Sequence, residues 1–193
     1  MRCFMTKVMS RVSVSAGIFS SSVGALVLAG WALDSAVLKS VVPGFVVMKA
    51  NTAFGFVLVG AALWLKGREG GNPRAARYAG ALVWTLAALA CLTLAQNEYG
   101  IDFGIDNALF REAARGDGAP PGRMAPVTAV SFLLLALALL LSGVRYDKAH
   151  CAAQVLAALA GLAGFLATIG YIHDLPVFYS YAYPEPPGYP DFK

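Results

Sequence analysis

Carboxylates at the ends of apolar runs are the residues best placed to do chemistry in this chain. They recur in Trp31-Ala32-Leu33-Asp34, Tyr99-Gly100-Ile101-Asp102 and Tyr171-Ile172-His173-Asp174, each an aromatic, two residues and an aspartate. A ring of Asp34, Asp102 and Asp174, joined by Glu98, would bind a cation or a cationic ligand. A simpler role competes, in which each acid ends its helix and stays in water. The helix dipole disfavours an acid at a C-terminus, so the repetition needs a reason, and shared ancestry of the repeats supplies one. Trp31, Tyr99 and Tyr171 fall at one depth. Aromatic residues at a membrane interface form a belt by default, and the alternative is a pocket wall for a lipid or quinone. Gln96 and Asn97, beside Glu98, make a polar cluster able to hydrogen-bond across helices or to mark a boundary.

Little else points to catalysis. Cys3, Cys91 and Cys151 form no CxxC pair and have no metal spacing. His150 and His173 fall at opposite ends of one apolar run, so they cannot share an ion or a haem. Asp102-Phe103-Gly104-Ile105-Asp106-Asn107 lacks the alternating ligands and final Glu of a calcium loop. There is no HExxH, phosphate loop or nucleophile–base pair. The expectation is a protein that is not an enzyme and holds no metal or cofactor.

The elements that position these residues follow from composition. Of 193 residues, 58% are hydrophobic and 13% charged, against about 25% charged in soluble domains. Charge-free runs of about 20 residues suffice to cross a hydrocarbon core of about 30 Å. The pattern predicts an all-α polytopic bundle of five transmembrane helices, at about 12–33, 50–65, 78–97, 124–144 and 151–173, within a helical domain 1–175. The second run is the shortest, and Lys49 at its edge would snorkel outward. Met1–Ala32 exceeds a signal core and lacks a small-x-small cleavage site, so it is read as a retained helix. A Tyr/Pro-rich tail, 176–193, would serve as a partner-binding strap through Tyr183, Pro186, Pro187 and Tyr189.

The net charge of +4 does not indicate nucleic acid, because the basic residues are split by loop. Nine of the fifteen Lys and Arg fall on one side: Arg2, Lys7, Arg11, Lys66, Arg68, Arg74, Arg77, Arg145 and Lys148. The positive-inside rule puts the N-terminus in the cytoplasm and the C-terminus outside.

Internal repetition extends to the helix starts. Met48-x-x-x-Thr52-Ala53-x-x-Phe56 matches Met124-x-x-x-Thr128-Ala129-x-x-Phe132, as expected of duplicated helical hairpins. Asn51-Thr52 and Pro126-Val127-Thr128 read as helix-start chemistry. Ser20-Ser21-Ser22-Val23-Gly24 and the series Ala153, Ala157, Gly161 read as small-residue seams for neighbouring helices.

Three stretches together carry a resemblance. They are Val42-Pro43-Gly44 with Met48-Lys49-Ala50-Asn51-Thr52-Ala53-x-Gly55-Phe56; Glu98-Tyr99-Gly100-Ile101-Asp102-x-Gly104-Ile105-Asp106 with Phe110-Arg111; and Pro121-Gly122-Arg123-Met124-Ala125-Pro126. Over roughly residues 25–175 the chain resembles the N-terminal membrane region of bacterial sensor histidine kinases and diguanylate cyclases. It departs from that pattern at Ala50, where a proline is expected, and at Val127, where an asparagine is usual. The resemblance implies a non-catalytic sensory module of the bacterial inner membrane, without the sixth helix and output domains such proteins carry. Its partners would be membrane lipids and a cytoplasmic kinase or a membrane complex. The other reading is a small accessory or structural subunit of a larger membrane complex, docked by its lipid-facing helices and tail.

Overall fold

The computed structural model describes residues 2–40, 47–68, 72–112 and 120–173, with side chains from Arg11 onward except that of Tyr171. The 176–193 tail, with Tyr183, Pro186, Pro187 and Tyr189, and Asp174 lie outside the described residues. The described residues are helical, without strands: α1 Arg2–Ala32, α2 Ala36–Lys39, α3 Ala50–Gly67, α4 Pro73–Tyr99, α5 Pro126–Leu141 and α6 Asp147–Ile172.

Four helices are long and apolar enough to cross a membrane, at Arg11–Ala32, Ala50–Gly67, Pro73–Tyr99 and Asp147–Gly170. Pro126–Leu141 is apolar but has only 16 residues, about 24 Å at 1.5 Å per residue. The shortest of the apolar helices is therefore α5, at 16 residues, rather than the expected 50–65 segment, whose helix α3 has 18. Pro126 begins it at the position where a missing N–H costs nothing. After Leu141 the chain tightens, with Gly143 N–H donating to Leu140 O and Val144 N–H to Leu141 O.

Capping explains other boundaries. Asn72 Oδ1 accepts from Arg74 N–H at 3.0 Å and Pro73 occupies the first turn, so α4 starts five residues before the apolar run. It stops at Gly100, in the left-handed region at φ 64°. The α1 helix continues through charged residues to Arg2, because helix formation does not require apolarity.

Each long helix packs on its successor: α1 on α3, α3 on α4, α4 on α5 and α5 on α6, with α3 also meeting α5. The core lies among α3, α4 and α5, where Leu58, Val59, Ala62, Val83, Leu86, Ala90, Ala129 and Phe132 are buried. Phe132 meets Phe56 edge to face at 5.5 Å and fills the space beside Gly55.

The α1–α3 seam is built from small residues, as the serine-glycine segment predicts. Ser20 Oγ donates to Phe56 O at 2.9 Å and Ser21 Oγ to Val57 O at 3.4 Å. A Cβ on Gly24 would lie 2.5 Å from Ala53 O. The α6 seam differs from its expectation. Ala153 and Ala160 are buried, while Ala157 and Gly161 are exposed. The stripe facing α5 therefore follows a two-turn step.

Candidate functional site

The end of the bundle where α1 and α4 finish and α3 and α5 begin is closed by a polar cap. Six side chains from distant parts of the chain hold it. Asp106 is 4% exposed. Its Oδ2 accepts from Arg123 Nε at 2.8 Å and from Gln96 Nε2 at 2.9 Å. Arg123 Nη1 reaches Gln96 O at 3.4 Å. One ion pair thus joins the last turn of α4, the loop after it and the approach to α5.

A second pair lies alongside. Lys49 Nζ contacts Glu112 Oε2 at 2.6 Å, and the same oxygen accepts from Gly122 N–H at 2.7 Å. Lys49 immediately precedes α3, so this pair ties the start of α3 to the loop. Gly122 has φ 77° and lies against the Asp106 carbonyl, an approach that leaves no room for a side chain. Asn51 is 2% exposed, and its Nδ2 donates to Ile105 O at 3.1 Å.

These contacts revise two expectations. Lys49 is engaged with Glu112 instead of snorkelling outward. Asn51 serves the loop rather than the helix start, where Lys49 is the extended N-cap and no side chain caps the helix.

The carboxylates singled out by spacing go to separate tasks. Asp34 is exposed and pairs with Lys39. Asp102 Oδ1 accepts from Gly104 N–H at 2.8 Å and from Gln96 Nε2 at 3.4 Å, so it shapes the turn entering the cap. Glu98 is exposed. Among the described residues, no group of three or more His, Cys, Asp or Glu could hold a metal ion. Trp31 donates from Nε1 to Met48 O at 3.0 Å, stacks on Phe110 at 6.1 Å and carries Lys39 Nζ 4.6 Å from its ring centroid. Tyr99 is exposed.

The hydrogen bond from Lys39, and then its charge, hold the Asp34 carboxyl below its ordinary 3.8. A depressed folded-state value means that this pair contributes above the unfolded value and is lost as pH falls through the lowered one. The Asp34 side chain is 93% exposed, so the effect on stability is small. A ¹³C NMR titration should put the Asp34 midpoint below 3.8, and Lys39→Ala should return it there. An unchanged midpoint in the variant would show that Lys39 is not the cause.

Spacing alone passed over Asp106, Arg123 and Glu112 as a site. Asp106 and Arg123 do stand within the stretches that carry the resemblance, and Gln96 within the polar cluster beside Glu98. Three further oxygens, Thr93 Oγ1, Gln96 Oε1 and Asp106 Oδ1, are buried with no hydrogen-bond partner among the described residues. Thr93 and Gln96 share a face of α4, one turn apart. Chemically the cap is a place for charge pairing and hydrogen bonding.

Comparison with family models, curated proteins and solved structures gives no match to this chain.

Proposed function

We propose that this chain is a non-catalytic sensory module of the bacterial inner membrane, with the cap as its receiving surface and α3, α4 and α5 as its relay. The observation that carries the reading is the Arg123–Asp106–Gln96 cluster. It fastens the loop to the ends of two core helices, so a disturbance of the loop acts directly on helix positions. Charged groups held in a low-dielectric interior also couple strongly to their surroundings.

In this reading α5 completes a fifth crossing, the N-terminus is cytoplasmic and the C-terminus external. Duplicated hairpins have support in matched local geometry. Lys49 and Ala125 are both extended N-caps, at φ −65° and −61°, and Ala53 and Ala129 are both fully buried. The accessory-subunit reading has one observation of its own: α6 meets only α5 among the described helices, leaving most of its surface for lipid or a partner.

Cross-linking in native membranes, then purification in mild detergent and identification of what co-purifies, separates the two. A sensor should cross-link to a cytoplasmic kinase through the 66–77 and 145–150 turns. An accessory subunit should come out in a stable membrane complex bound through α6. Impermeant labelling of residues placed at each end tests the layout. Both ends reacting from one side of the membrane would refute five crossings.

A further inference from the structure

Away from the cap, α1 and α3 enclose a shallow trough. Ile18, Ser21 and Ser22 of α1 and Ala61 and Trp64 of α3 line a space of about 270 Å³. The seam itself creates it. A Cβ on Gly17 would lie 2.6 Å from Gly60 O and 2.7 Å from Trp64 N, so the backbones nearly touch. The short side chains beside that contact leave a channel open to the surface. Ser21 Oγ is already engaged with Val57 O, so the wall is largely apolar. The volume falls just under the roughly 300–1,000 Å³ of pockets that enclose whole small molecules. It suits a length of flexible chain.

One end of the trough carries positive charge. The Arg68 guanidinium lies 4.8 Å from the centroid of the Trp64 ring. Arg11 stands seven residues before Ile18 on α1. That is two turns, which keeps it on the same face and about 10.5 Å nearer the helix start. Since α3 runs back toward the start of α1, the two arginines flank the same end. From Arg11 to Ser22 is eleven residues, about 16 Å of helix, close to half of a hydrocarbon core of about 30 Å.

We infer that this trough is a binding site for an anionic phospholipid, with one acyl chain along Ile18, Ser22, Ala61 and Trp64 and the headgroup phosphate between Arg11 and Arg68. Setting decides for a lipid tail, because the apolar trough opens on the side of two helices that are long and apolar enough to cross a membrane. Charge decides for an anionic headgroup, because guanidinium groups form strong, geometrically matched bonds with phosphate. Basic sites between membrane helices bind anionic headgroups in this way. The inference does not depend on the function proposed for the cap.

The test is native mass spectrometry of the full chain in mild detergent, with phosphatidylglycerol and phosphatidylcholine added at equal concentration. Wild type should retain phosphatidylglycerol about tenfold better. Arg11→Gln with Arg68→Gln should abolish the preference, while Arg11→Lys with Arg68→Lys should keep most of it. Ser22→Phe with Ala61→Phe, which fills the trough and leaves both arginines, should reduce retention of either lipid. Millimolar inorganic phosphate should not displace the bound lipid.

Equal retention of the two lipids by wild type would overturn the site. So would a preference that survives both the glutamine pair and the phenylalanine pair. Displacement by free phosphate would reduce it to an anion site without the groove, and a lipid-free dimer cross-linked through Ser22→Cys would give the trough to a second copy. If the glutamine variant aggregates, the lysine and phenylalanine pairs decide the matter alone.

Discussion

Arg123→Ala should destabilise the fold by about 3–5 kcal/mol, the cost of stranding one charge of a buried pair. Side-chain exposure is 9% for Arg123 and 4% for Asp106, so water can do little for the carboxylate left behind. The substitution also releases the carbonyl of Gln96 and frees the approach to α5. Reversible unfolding in mixed micelles, followed by far-UV circular dichroism, measures the loss. The double variant Arg123→Met, Asp106→Leu should recover most of it, since replacing a buried pair by apolar groups is often neutral. A loss below about 1 kcal/mol for Arg123→Ala would mean a solvated pair of the surface kind, and the cap would lose its claim to couple loop and helices.

The second large effect concerns the α1–α3 seam, where two physical terms have opposite sign. Gly to Ala inside a helix gains up to about 1 kcal/mol from backbone propensity. At Gly17 the new methyl would meet backbone atoms of α3 at 2.6 and 2.7 Å, and backbone cannot swing aside as a long side chain can. Overpacking of this kind costs roughly 1–3 kcal/mol, so Gly17→Ala should destabilise and part the two helices. Gly161→Ala on α6 is the control. Nothing lies within 4 Å of a Cβ there, and the variant should be neutral or slightly more stable. Disulfide trapping between Ser21→Cys and Val57→Cys, whose side chains both lie in the seam, reports the separation directly. Equal stability of the two alanine variants would show that the seam is looser than described.

The helices were legible because lipid enforces a simple code. A run without charge long enough to span a bilayer announces itself, and the four helices long and apolar enough to cross one, with the shorter α5, each overlap a run visible in the sequence. The ends were less legible. Asn72 and Pro73 are residue types that turns also favour, and here they cap and open α4, since turns and helix starts use the same chemistry. The four-residue helix α2 carries no period that could reveal it.

The cap was the least legible part. Asp106 pairs with Arg123 seventeen residues away, and Lys49 with Glu112 across sixty-three. No local pattern encodes such distances. The aspartates that do repeat, Asp34 and Asp102, drew notice for their regular spacing, and the structure gives them local work. Asp106 and Arg123 sit inside the motif stretches without repeating, and Gln96 and Glu112 lie outside them, so periodicity passes over all four.

The mounting of α1 has a mechanical consequence. Among the long helices it meets only α3, along a hinge-like line of glycine and serine. At its far end Trp31 rests on Phe110 and hangs from the Met48 carbonyl. A body held along one edge and at one tip has little freedom to slide, but it can rock. Tilting of α1 would therefore shift Trp31 against Phe110 before it disturbed any other helix. The indole ring is thus a natural optical gauge, and with Trp64 and Trp84 replaced by phenylalanine its fluorescence would register the tilt without an added label.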